Sequence, residues 1–154
     1  MEGMKRILEV HPFFKGLKSD HLKIIQGCAS NVRFEPGEFI YREGADAEKF
    51  YLIREGKISL EMFITGRGAI TVETLNEGDL LGWSWLISPY KWRFDSRALT
   101  QVRAIALDGK CIRGKCDLDH DLGYELMRQC AGLTNRRLQA TRMQLLDVYG
   151  AHSS

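Results

Sequence analysis

The stretch FEPGEFIYREGADAEKFYLIREGKISL, from Phe34 to Leu60, is the part of the chain that decides its fold. Turn signals at Pro36-Gly37, Glu43-Gly44 and Glu55-Gly56 separate short apolar pieces. Apolar and polar residues alternate on either side of Glu55-Gly56, in FYLIREGKISLEMF. This pattern predicts two strands joined in a hairpin at that turn.

The same texture extends to about residue 110. Gly66-Arg67-Gly68 and Glu77-Gly78 continue the turn signals at intervals of roughly ten residues, and ITVETL and VRAIAL read as further strands. Short strands at this spacing favour a β-sandwich, barrel or roll over about residues 31–110, and they argue against βαβ units.

Helical patterns flank this β-region. KRILEVHPFFKGLKSDHLKIIQGCA predicts short helices within about residues 4–30, with Ser19 as the N-cap of the second. After Gly114 an apolar stripe at helical spacing predicts one long helix over about residues 117–149. With one skip in the middle, the stripe consists of Leu122, Leu126, Cys130, Leu133, Leu138, Thr141, Leu145 and Val148.

A helix of this length exceeds what a small domain can cover. We therefore expect a homodimer in which the helix pairs with a second copy somewhere between Leu122 and Val148. The alternative is that the helix folds back on its own β-region. Its basic side chains are interspersed with acidic ones, so we expect a solvated face and no DNA surface at Arg128, Arg136, Arg137 and Arg142.

Length and composition are those of a single globular domain. The chain has 154 residues, 44% of them hydrophobic and 27% charged, and a net charge of +2. Without a long apolar run or a signal-peptide pattern, we expect one cytoplasmic domain over residues 1–154 with no membrane association. The sequence shows no helix-turn-helix pattern, so we expect no DNA-binding domain. The four cysteines lack metal-site spacing and are expected to be reduced structural thiols; no metal site is indicated. Common catalytic motifs are missing, so we expect a protein that is not an enzyme.

The turn glycines also carry a family resemblance. HPFFKGL, Pro36-Gly37-Glu38, Arg42-Glu43-Gly44 and the FYLI segment with Gly56 resemble the cyclic-nucleotide-binding domains of Crp/Fnr regulators, kinase regulatory subunits and gated channels. The resemblance implies a mainly β fold, a jelly-roll-like β-roll (double-stranded β-helix) with N-terminal helices. It also implies a long C-terminal helix that packs over the ligand pocket and mediates dimerisation.

GDLLGWSWLISPYKWRFD, residues 78–95, then resembles the family's phosphate-binding cassette. The resemblance implies that Gly82 opens the cassette, where backbone N–H groups at a helix N-terminus hold an anion. Trp83 stands where the family has a sugar-binding glutamate, and Ser84 keeps a hydroxyl. The phosphate-pairing arginine of the family falls on either Trp92 or Arg93.

The candidate ligand-binding residues are Gly82, Trp83, Ser84, Trp85, Trp92, Arg93 and Ser96. Because an indole cannot accept hydrogen bonds from a ribose hydroxyl, cAMP or cGMP binding is not expected in its usual form. We expect a non-catalytic ligand-sensing module that takes a cyclic nucleotide or other small anionic ligand and signals to a protein partner through the C-terminal helix. The alternative is a ligand-free β-roll, an interaction or scaffold protein whose tryptophans belong to the core.

Overall fold

The computed structural model describes residues 2–82, 91–92 and 94–152. Eight strands form two antiparallel sheets, and helices precede and follow them. The leading helices are α1 (Glu2–Val10), a 3₁₀ helix (Pro12–Phe14) and α2 (Ser19–Gln26). The strands are β1 (Ala29–Phe34), β2 (Phe39–Tyr41), β3 (Lys49–Glu55), β4 (Ile58–Ile64), β5 (Gly68–Leu75), β6 (Leu80–Leu81), β7 (Asp95–Ala98) and β8 (Val102–Asp108). The trailing helices are α3 (Gly109–Leu118) and α4 (His120–His152).

The first sheet has the strand order β1-β8-β3-β6 and the second the order β2-β7-β4-β5. The first and last strands of the β-region are neighbours, with Ala29 opposite Leu107 and Phe34 opposite Val102. The expectation of a mainly β roll with flanking helices and a long C-terminal helix is confirmed.

The central strands of the first sheet, β3 and β8, are buried on both faces, and this divides the core in two. Phe50 and Leu52 of β3 face a cluster with the helices, whereas Ile53 faces a second cluster between the sheets. In β8, Leu107 belongs to the helix-side cluster and Val102 to the inter-sheet cluster. Burial on both faces explains why VRAIAL is almost entirely apolar.

The hairpin predicted at Glu55-Gly56 is wrong, although both of its strands exist. β3 pairs with β6 and β8, and β4 pairs with β5 and β7, so the chain passes from one sheet to the other between them. Gly56 makes this crossing possible, because it has a φ of +99° and a Cβ there would collide with the carbonyl oxygen of Gln101. Alternation alone predicts strands but cannot show which strands pair.

The helix boundaries also differ from the prediction. Ser19 is the first residue of α2, and Lys18 occupies the N-cap without a side-chain hydrogen bond. A separate helix, α3, lies before the long one, and Asp108 caps it by accepting a hydrogen bond from the backbone N–H of Cys111. The long helix α4 begins at His120 rather than near residue 117.

The expectation that all cysteines are reduced is wrong, because Cys28 and Cys111 form a disulfide. These residues are 83 positions apart in sequence. The pairing of β1 with β8 brings them together, since Cys28 directly precedes Ala29 and Cys111 closely follows Asp108. Their sequence spacing carries no trace of this contact.

The described residues contain neither a helix suited to span a membrane nor a side-chain cluster suited to bind a metal ion. None of the described helices combines the length and the apolar character that a membrane span requires. Within the same residues, no three histidine, cysteine or carboxylate side chains come together as a group that could hold a metal ion.

Candidate functional site

Gly82 lies directly after β6 and is covered by an aromatic ring. It has a φ of +86°, and a Cβ at this position would overlap the six-membered ring of Trp92. Trp92 is 5% exposed, and its ring stacks on that of Tyr41 with centroids 3.8 Å apart and an interplanar angle of 7°. Two parallel aromatic rings therefore occupy the interior beside the glycine that the sequence singled out.

Trp92 is held in place by the loop that follows β2. Its backbone N–H donates to the carbonyl of Ala45 at 3.0 Å, and its carbonyl accepts from the N–H of Gly44 at 2.8 Å. Lys91 donates to the carboxylate of Asp46 in the same loop. The backbone at Lys91 and Trp92, directly after residues 83–90, is therefore fixed to the loop that contains the Glu43-Gly44 turn.

Ser96 approaches the same interior from β7. It is fully buried and stands opposite Tyr41 of β2 and Leu60 of β4. Its Oγ interacts with the Tyr41 hydroxyl but reaches good hydrogen-bond geometry with no described residue. A buried hydroxyl with spare hydrogen-bonding capacity is suited to a polar group of a ligand.

Helix α4 contributes a charged group to this region through Arg137. Its guanidinium donates to the backbone carbonyl of Leu80, two residues before Gly82, and its Nε lies 3.6 Å from Oε1 of Glu73 in β5. The Arg137 side chain is only 18% exposed. A single side chain therefore connects α4 to the strand that leads into the candidate cassette.

The electrostatics of this contact are those of a buried cation among compensating groups. Burial lowers the pKa of Arg137, and Glu73, Asp79 and Tyr41 act in the opposite direction. Burial raises the pKa of Tyr41, and the charge of Arg137 opposes that rise. Because arginine stays protonated in proteins, the interior beside Gly82 carries a permanent positive charge and a neutral phenol.

The structure brings together three of the seven candidate ligand-binding residues: Gly82, Trp92 and Ser96. The other four lie outside the described residues, namely Trp83, Ser84, Trp85 and Arg93. Their roles remain predictions from the resemblance.

Sequence reasoning missed Arg137, and the expected solvated face is wrong at this position. The apolar stripe of α4 runs through Leu122, Leu126, Cys130 and Leu133, and the next position on the same face is Arg137. The skip in the stripe is therefore an inward-facing arginine. Sequence reasoning also missed Tyr41 and Glu73, because no sequence pattern shows which distant residues they contact.

Comparison with known proteins shows the family and the fold. The family model described as cyclic nucleotide-binding domain matches residues 31–119. The CRP-like cAMP-activated global transcriptional regulator of Mycobacterium tuberculosis is 22% identical over 145 residues, which are 94% of this chain. The chain spans 63% of the length of that regulator.

Solved structures show the same fold. A structure from Geobacter metallireducens GS-15, of a candidate cyclic nucleotide-binding protein, is 30% identical with a TM-score of 0.78 and covers 87% of this chain and 97% of its own. The catabolite activator protein of Thermus thermophilus is 21% identical with a TM-score of 0.69, over 90% of this chain and 63% of its own.

Proposed function

The chain belongs to the cyclic nucleotide-binding domain family, and on this basis we propose that it is a non-catalytic sensor whose ligand controls the placement of α4. The ligand binds beside Gly82, and α4 carries the signal to a protein partner. Such a mechanism is a shift between two placements of the helix, driven by a ligand that binds one of them better.

The contact of Arg137 with Leu80 is the observation that carries this proposal. A ligand at Gly82 acts on the backbone only two residues away from the carbonyl that Arg137 holds. Any shift of Leu80 changes the hydrogen bond of a buried guanidinium, which is costly to leave unpaired. This contact supports the proposal that a ligand beside Gly82 acts on α4.

The ligand we propose is a nucleotide or another small anion. Backbone N–H groups after Gly82 and the Arg93 guanidinium would hold its anionic group, as in the family cassette. Since Trp83 replaces the sugar-binding carboxylate, we expect cAMP and cGMP to bind about one to two factors of ten more weakly than to an unmodified cassette, from a loss of about 1–3 kcal/mol.

The proposed output surface is the distal half of α4, which is the part of the helix after Arg137. The apolar residues in the first half of α4, from Leu122 to Leu133, pack on the helix-side core of the same chain. Beyond Arg137 large apolar side chains are exposed instead: Leu138, Met143, Leu145, Leu146, Val148 and Tyr149. We propose that this surface pairs with a second copy, which narrows the expected dimer contact to the part of the helix after Arg137.

A thermal-shift screen against a panel of cyclic and linear nucleotides, inorganic phosphate and small carboxylates tests the proposal. A ligand at about 100 times its dissociation constant should stabilise the fold by roughly 2.7 kcal/mol. The Arg93→Ala variant should lose most of this shift. Lys91→Ala is the matched control, because Lys91 already pairs with Asp46. A ligand that stabilises Arg93→Ala as much as the wild type would disprove the assignment of Arg93.

The alternative, a ligand-free interaction protein, is favoured by one observation. Trp92 covers Gly82 and stacks on Tyr41, as a core residue would. Intrinsic tryptophan fluorescence separates the two functions during a nucleotide titration. A saturable change in intensity indicates a ligand beside the tryptophans, whereas an unchanged spectrum with every compound indicates a closed core.

A further inference from the structure

All four cysteines of the chain lie in one cluster where the helices meet the first sheet. Cys28 and Cys130 are among its buried members, and Cys111 and Cys116 pack against it. Only Cys28 and Cys111 are joined; Cys116 and Cys130 are free thiols. A disulfide and two thiols in one cluster, far from the candidate ligand residues in sequence, call for a separate explanation.

The disulfide lies at the point where α3 leaves the sheet. Cys28 stands between α2 and β1, and its carbonyl accepts a hydrogen bond from the N–H of Asp108 at 2.9 Å. Asp108 is the N-cap of α3, and Cys111 is in the first turn of that helix. The bond therefore fastens the start of α3 to the end of α2.

The opposite end of α3 also contacts α2, through a side-chain pair. Nε2 of His21 in α2 lies 3.5 Å from the carboxylate of Asp119, the C-cap of α3. Asp119 in turn accepts a hydrogen bond from the N–H of Leu122 in the first turn of α4. α3 is thus clasped to α2 at both ends, and α4 begins directly after the second clasp.

Accessibility and acidity give the disulfide a defined chemistry. Cys28 is 8% exposed, whereas Cys111 is partly exposed, so we expect an incoming thiolate to attack the Cys111 sulfur. Burial and then the nearby Cys116 thiol raise the pKa of Cys130 to about 12. Burial, followed by Asp117 and Asp119, also raises the pKa of Cys116. Since thiolates and not thiols attack disulfides, the raised pKa values disfavour attack on the bond by the two internal thiols.

We propose that Cys28 and Cys111 form a reversible redox site, which an external dithiol reduces, and that reduction releases the start of α3 and with it the placement of α4. The site is separate from the proposed ligand site and does not depend on ligand binding. It makes the output helix responsive to the thiol–disulfide balance around the protein.

The reaction is a two-step exchange. A thiolate of the external dithiol attacks Sγ of Cys111, a mixed disulfide forms, and Cys28 leaves as a thiolate that takes up a proton. The second thiol of the reductant then attacks the mixed disulfide and releases Cys111, which is protonated in turn. Two electrons and two protons pass from the dithiol to the protein, and the reductant becomes a disulfide.

Thiol counting on the folded protein tests the proposal. Dithiothreitol is added under native conditions, free thiols are alkylated after acid quenching and denaturation, and the intact mass is measured. We expect two alkylated cysteines before reduction, four after it, and two again after treatment with oxidised dithiothreitol. Hydrogen exchange on the same samples should show amides of α3 and the first turns of α4 exchanging about tenfold faster in the reduced form.

Two variants complete the design. Cys111→Ser should exchange as fast as the reduced wild type under both conditions, and Cys116→Ser, a change on the same helix, should keep the full redox response. Four alkylated cysteines in the oxidised wild type would overturn the proposal, as would two after native reduction. Equal exchange rates of α3 in the oxidised and reduced wild type would overturn it too, because the bond would then not control the helix.

Discussion

At the scale of single residues, Gly82 combines two constraints that a side chain would violate. Its φ of +86° lies in the left-handed region, and the ring of Trp92 occupies the place of a Cβ. Gly66 has the same φ of +86°, but nothing lies within 4 Å of a Cβ there. Substituting alanine at each glycine therefore separates the free-energy cost of the backbone conformation from the cost of displacing the Trp92 ring.

We expect Gly82→Ala to lower the free energy of unfolding by about 2–4 kcal/mol, from backbone strain together with displacement of the Trp92 ring. Gly66→Ala should lower the free energy of unfolding by only about 1–2 kcal/mol, because it adds backbone strain alone. Urea unfolding measures both, and tryptophan fluorescence should change only in the Gly82 variant. Equal losses in the two variants would show that Trp92 does not press on Gly82.

His11 is a buried titratable residue that we expect to link stability to pH. Its side chain is 6% exposed, and Nδ1 accepts a hydrogen bond from the N–H of Phe13 at 3.2 Å. Burial lowers the pKa of His11 to about 4, against a smaller opposing effect of Asp79. Because the unfolded chain binds this proton more readily, stability falls as the pH drops from about 6.5 towards 4.

We expect the free energy of unfolding of the wild type to fall by about 3 kcal/mol across this pH range because of His11. His11→Asn keeps a side-chain acceptor for the Phe13 N–H but does not titrate, so its stability should depend less on pH in the same window. The control is His120→Asn, since His120 is exposed at the start of α4. Chemical unfolding at pH 7, 6, 5 and 4 measures the difference, and parallel curves for the three proteins would refute the role of His11.

At the scale of elements, the part of α4 after Arg137 exposes large apolar side chains. Leu145 is 55% exposed and Leu146 is 62% exposed. We expect Leu145→Glu to shift the protein from dimer to monomer in sedimentation velocity at micromolar concentration, because a charge would enter the proposed helix pair. Leu118→Glu, at an 87% exposed position of α3, is the control and should leave the dimer intact. A wild type that sediments as a monomer would rule out the interface.

The elements also show what the sequence could and could not predict. Turn glycines and apolar periodicity located most strands and the long helix, because local propensity and burial determine them. Pairing partners depend on contacts distant in sequence, so the crossing at Gly56 and the disulfide from Cys28 to Cys111 were not predictable. Arg137 is an intermediate case, since the break in the stripe of α4 marked its position but not its role.

At the scale of the whole molecule, two contacts lie one at each end of the segment of α4 that packs on the helix-side core. The first is the attachment of α3 to α2 by the disulfide and the His21–Asp119 pair, directly before α4 begins. The second is Arg137, where the helix passes the strand that leads to Gly82. The helix continues beyond both, so we expect a change at either contact to alter the direction of the surface that we propose for dimerisation and signalling.

Hydrogen exchange of α4 in the presence of each nucleotide of the panel tests the central claim most directly. We expect at least one nucleotide to change amide exchange in the helix around Arg137, and Arg137→Ala to abolish this change while Arg136→Ala, at an exposed neighbouring position, preserves it. If no nucleotide alters exchange in α4, or if Arg137→Ala responds as the wild type does, the helix does not report a ligand beside Gly82 and the proposed sensing mechanism is wrong.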